Sequence, residues 1–167
     1  MPTRSRSGPA LRKNAEEREI RALTIGQPWA ELILRRRKPF EIRGWTTKYR
    51  GLILIHAGLK WNAADAEALG ITREEATCGA FVGIAKLKEV RRYTRADAKL
   101  LREKRGGLGG WGPGEYAWVL TSVRRIEPIP FKGQLGLYRP PERILRKLKH
   151  VVQDSGGRLK PEKGACR

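Results

Sequence analysis

Apolar and polar positions alternate in short runs punctuated by glycine, proline and capping residues, a spacing that predicts a domain built mainly from strands. Order begins at residues 21–25 (RALTI), a strand-like run that feeds directly into a helix. Pro28 suits the first turn of that helix, and Trp29, Leu32 and Ile33 recur on one face as it runs to Arg37. Phe40 and Ile42 alternate with Glu41 and Arg43 as in a half-buried strand, and residues 52–56 form an apolar β run opened by Gly51. Asn62 and the Thr72/Glu75 pair read as the starts of two short helices, with Gly70 as the left-handed stop between them. Residues 81–90 read as a long strand interrupted by Gly83, where another backbone comes close, and Thr94 with Asp97 begins a helix to about Lys104. The run GGLGGWGPG at 106–114 cannot hold regular structure and predicts a loop with Trp111 at its tip. Strand-like runs follow at 116–123 and 131–138, separated by Pro128 and Pro130.

Pro140 and Pro141 mark the end of the compact part, and residues 141–152 form a basic amphipathic helix with Ile144, Leu145, Leu148, Val151 and Val152 on one side. The organisation is therefore a basic arm at 1–20, one α+β domain at 21–139, and a helix with a polar tail at 140–167. The apolar stripe of the last helix is expected to pack on its own domain, and a protein partner is its alternative use.

Charge narrows the partners. Lys and Arg number 36 against 17 Asp and Glu, a net charge of +19, well beyond what solubility requires of a small domain. The surplus is not confined to the ends, because residues 22–138 carry +10 of it. A folded basic surface favours polyanions, and its attraction for phosphate should survive removal of both tails. Cys78 and Cys166 lie far apart with no ligand-spaced histidine near them, and His56 and His150 read as structural or solvent-facing, so neither a metal nor a disulfide framework is expected. The glycine-rich run lacks the G-K-[ST] ending of a phosphate loop, and no cofactor motif occurs elsewhere. No run is apolar enough for a signal core or a membrane span, so a cytoplasmic location is expected.

Two segments carry a resemblance. LTIGQPWA at 23–30 is similar to the opening strand and helix start of the activating signal cointegrator homology (ASCH) domain, and Lys38, Glu41 and Arg43 match its G-x-K-x-x-E-x-R signature. Residues 51–56, 115–120 and 133–136 resemble the remaining core strands, so the likeness spans about residues 21–138. It implies a small PUA-like mixed β-barrel of five or six strands, flanked by short helices, with the glycine-rich loop near a cleft. Arg36 stands where the signature usually has glycine, so either this arginine accepts a left-handed backbone or the turn differs.

The signature has its own physical reading. On a strand, Glu41 and Arg43 share one face, and with Lys38 they set an acceptor between two donors, a group that can hold a phosphate, a carboxylate or a base edge. An ordinary surface ion pair is the competing explanation, and the resemblance, which puts these three side chains in the cleft, decides against it. Trp45, on the same parity as Glu41 and Arg43, and Trp111 are the candidate stacking residues, while Arg36, Arg37, Lys48 and Arg50 supply flanking cations. Trp29, Trp61 and Trp118 are assigned to packing.

The leading function is an RNA-binding module that holds an unpaired nucleotide or a modified nucleoside in this cleft, with DNA as a competing polyanion. The resemblance also implies a hydrolase acting on acetylcytidine or RNA, in which Lys38, Glu41 and Arg43 would be catalytic. That reading meets a difficulty at once, since a carboxylate beside Lys38 holds it charged and unable to accept a proton. A coactivator module using residues 141–152 ranks third.

Overall fold

The computed structural model describes residues 19–104, 112 and 114–149. The first strand, β1 (Arg21–Gln27), buries Leu23 and Ile25 on one face and Ala22 on the other. It passes into a six-residue helix, α1 (Trp29–Leu34), whose first turn is tied by the Gln27 side chain accepting from the Glu31 amide at 3.0 Å. The predicted helix through Arg37 stops earlier, because Arg36 takes a left-handed backbone with φ +57°. The amides of Arg36, Arg37 and Lys38 turn back onto the carbonyls of Ile33 and Leu32 and close the helix end. A glycine would make this turn without strain, and Arg36 accepts it.

Strand β2 (Phe40–Arg43) follows, then β3 (Gly51–Trp61), α2 (Ala63–Ala68), β4 (Ala80–Arg92) and α3 (Arg95–Lys104). Asn62 caps α2 by accepting from the Asp65 amide. The second helix expected at Thr72 is absent: the Glu75 carboxylate does reach back to the Thr72 amide, yet the chain makes only turns before Gly79 redirects it into β4. Strand β5 (Tyr116–Pro130) is longer than expected and runs through Pro128. Beyond Val119 it has lost β2 as a neighbour and is an edge, where a missing backbone donor is tolerated. Residues 131–136 are a loop rather than strand, and only β6 (Leu137–Tyr138) pairs.

The strands make one mixed sheet in the order β2-β5-β4-β3-β1-β6, antiparallel except for β1 beside β3. It does not close through its backbone, so the expected barrel is an open six-stranded sheet; the Arg43 side chain spans from edge strand β2 to the Thr24 carbonyl of β1 at 2.5 Å. The concave face buries Leu23, Ile25, Ile53, Ile55, Leu87 and Trp118. The outer face is covered in two places, by α3 over Phe40 and Ala117 and by α4 (Glu142–Lys147) over Phe81 and Ile84. Ile144 and Leu148 are buried there, so the described part of the terminal helix spends its apolar stripe on its own domain and does not offer it to a protein partner. No helix among the described residues is long and apolar enough to cross a membrane.

Candidate functional site

The concave face ends in a mouth built from strand ends that the register brings together. Glu41 lies opposite Trp118, which lies opposite Val90; one step along, Arg43 lies opposite Tyr116, which lies opposite Arg92. Directly paired residues project to the same face, so these two rows sit side by side and the second forms the rim. Arg92 places its guanidinium over the Tyr116 ring at 4.7 Å. The same end of the sheet carries the start of β1 at Arg21 and the 44–50 connection.

Lys38, Glu41 and Arg43 do meet, but unequally. Lys38 is 3% exposed and Glu41 8% exposed, and the Lys38 ammonium donates to Glu41 Oε2. Arg43 Nε stands 3.5 Å from Glu41 Oε1, near enough for attraction but without hydrogen-bond geometry, and it is left with no partner while Nη2 donates to Thr24. The trio is therefore closed on its lysine side and unfinished on its arginine side, where an acceptor and a donor face each other.

Two residues further along the chain from Arg43 begins an open hollow of about 400 Å³ lined by Arg21, Trp45, Thr46, Thr47, Tyr49, Gly136 and Leu137 of β6; Lys38, Glu41 and Arg43 are not among its lining residues. Trp45 is 36% exposed and stands edge-on to buried Trp118, ring centroids 4.6 Å apart, while Trp118 Nε1 donates to the Trp45 carbonyl at 3.2 Å. The indole is thus braced by Trp118 and still partly exposed at the hollow, as a stacking residue requires. Tyr49 offers its ring but not its hydroxyl, whose single proton lies between the Glu19 and Leu52 carbonyls and is donated to one of them; burial pushes that hydroxyl up to about 12.

The other candidates divide. Lys48 and Arg50 are exposed in the 44–50 connection, with Arg50 donating to the carbonyls of Thr47 and Tyr49. Arg36 and Arg37 do not line the hollow, because their guanidinium groups are turned onto the carbonyls of Val123 and Leu69 at the end of α1. Trp111 and its loop tip lie outside the described residues. Arg21, Tyr49, the two threonines, Arg92 and Tyr116 were missed. Tyr116 shares parity with Trp118 and could have been flagged from that, whereas Arg92 joins only through strand register, which one sequence does not display.

Fold and mouth together define a small α+β domain with a basic cavity at the end of a curved, incompletely closed sheet. The model of the ASCH domain family matches residues 23–130, and the chain belongs to that family, in keeping with a PUA-like architecture. Among solved structures it is similar to the ASCH protein of Zymomonas mobilis, with 17% identity, a TM-score of 0.52, and 80% of this chain and 96% of that one covered. A serine-to-alanine variant of the same protein gives 16% identity and a TM-score of 0.51, covering 81% and 97%. At such identities the likeness speaks for the fold. No curated protein matches the sequence.

Proposed function

We propose that this domain binds RNA, taking one unpaired nucleotide into the hollow with its base on Trp45 and its polar edge toward Glu41 and Arg43. The observation that carries this reading is the partly exposed indole of Trp45, braced by Trp118 and two residues along the chain from Arg43, whose Nε has no hydrogen-bond partner. Cations around it supply the phosphate contacts: Arg92 on its tyrosine, and Lys48 and Arg50 in the adjoining connection. The net charge of +19 makes association strongly salt-dependent.

Fluorescence anisotropy with a labelled single-stranded RNA tests it. With six or more phosphates of a single strand engaged, affinity falls about 300-fold or more between 50 and 200 mM salt. Trp45→Ala lowers affinity by about 5–150-fold, the worth of one stacked base. Salt-insensitive binding, or a Trp45→Ala protein indistinguishable from the parent, overturns the reading.

Hydrolysis of acetylcytidine or RNA takes second place. Its required proton acceptor, Lys38, is buried and already donates to Glu41, so it is neither free nor accessible to an attacking water. Chromatography of acetylcytidine and short RNAs after incubation separates the two readings, since a binder returns them unchanged.

A further inference from the structure

The loop at 131–136 reaches the hollow at Gly136, and Leu135 just before it is 98% exposed. A solitary exposed leucine is ordinary, but this one stands on a loop tied at several points. The Phe131 amide donates to the Gly79 carbonyl at 3.0 Å, and the Phe131 carbonyl meets His56 Nε2 at 2.8 Å. The Gln134 amide donates to Thr24 Oγ1 at 3.2 Å, and Leu137 then pairs with Leu23. Gly133 fits its floor so closely that a Cβ there would stand 2.7 Å from His56 Cε1 and 2.9 Å from Thr24 Oγ1. Gly136 makes the return with φ +70°. Lys132 and Gln134 of the same loop, and Arg139 just after β6, are exposed as well.

We infer that Leu135 is a wedge: resting on the proposed RNA reading, it slides between the nucleotide held at Trp45 and its neighbour in the strand. Apolar side chains inserted at a base step break the stack and turn the chain, and a fixed loop does so without being ordered first. The ligand class follows. A free nucleoside has no neighbour to separate and gains nothing from Leu135, whereas a nucleotide within a single strand gains a second apolar contact and phosphates on both sides. The mouth is therefore built for an internal nucleotide of single-stranded RNA.

The test uses the full chain with a short single-stranded RNA carrying 2-aminopurine at successive positions, beside the matching mononucleotides. Binding to the parent protein brightens the probe at the step next to the captured base, as unstacking does. Leu135→Ala, at a position with no packing to lose, abolishes that rise and weakens the oligonucleotide about tenfold while leaving mononucleotide affinity unchanged. Leu135→Met, of similar bulk, retains both effects. If Leu135→Ala weakens oligonucleotide and mononucleotide alike, or neither, the wedge is refuted while the Trp45 platform stands. If the parent protein binds neither ligand, the RNA reading itself fails and the wedge with it.

Discussion

Two buried carboxylates in this molecule have similar ingredients and different finishes. Glu31, on α1, is 2% exposed and fully engaged: Arg125 approaches both its oxygens at 2.6 and 3.1 Å, and Arg35 donates to one at 2.8 Å. Glu41, at the mouth, is nearly as buried, yet only its lysine partner is seated and Arg43 Nε hangs beside it unpaired. A cluster whose donors and acceptors are all matched does its work within the fold, whereas one left unmatched beside an opening has capacity for something from outside. Burial and charge are nearly equal in the two, so satisfaction rather than composition distinguishes them.

The largest effect expected is at the mouth. Glu41→Ala leaves the Lys38 ammonium buried without its counter-charge and costs about 3–5 kcal/mol in urea unfolding, the usual penalty for breaking a buried pair. The double variant Lys38→Met with Glu41→Leu removes both charges and recovers most of that loss. A double variant as unstable as the single one would mean that packing, not charge, holds this corner. Glu31→Gln comes next, at about 2 kcal/mol, because its two arginines are partly exposed and can turn to water. Its RNA affinity, measured on folded protein, stays at the parental value; a fall there would erase the distinction between the two clusters.

A third cluster provides a pH probe. Asp97 at the start of α3 accepts both Arg91 Nη groups at 2.6 and 2.7 Å, and also the Thr94 amide and hydroxyl. Those hydrogen bonds, Arg91's first, pull its carboxyl down to about 2 against opposing burial. A depressed carboxylate contributes stability that is complete above its unfolded value near 4 and fades as pH falls through about 2. Asp97→Asn should therefore flatten the acid side of the Tm profile between pH 4 and 2 while leaving its neutral limb parallel to the parent's. The smallest effect is that of Arg36→Gly. Relief of the left-handed backbone, about 1 kcal/mol, offsets the lost hydrogen bond to Val123, of similar worth, so thermal unfolding should shift by less than about 3 °C.

Much of the sheet was legible because residues 40–43 alternate and the runs at 21–25, 52–56 and 81–90 are apolar and β-branched, the middle of β3 and the start of β4 being buried on both faces. Where local signals failed, longer-range contacts had the final word. The pair at Thr72 and Glu75 forms its hydrogen bond without a helix because only a few residues separate it from the glycine turn. The prolines near 128 did not end β5 because its outer side is unpaired there. The shared face of Glu41 and Arg43 followed from parity alone. Two things did not: that Lys38 is inside rather than lining the cleft, and that Arg92 and Tyr116 arrive from distant strands. Both depend on sheet register and curvature, which hydropathy along one chain does not encode.

The strand order also sets a sequence of events. β2 pairs with β5 alone, although more than seventy residues separate them in the chain, and both β3 and β4 lie between them in sequence. The segment bearing the acid and its arginine thus has no docking edge until residues 116–119 have been synthesised and set against β4. Contacts of such separation form late and slowly. On the ribosome, the mouth of the sheet would be the last part of the domain to take shape, and a nascent chain halted before β5 would expose its basic surface without the cleft proposed to go with it.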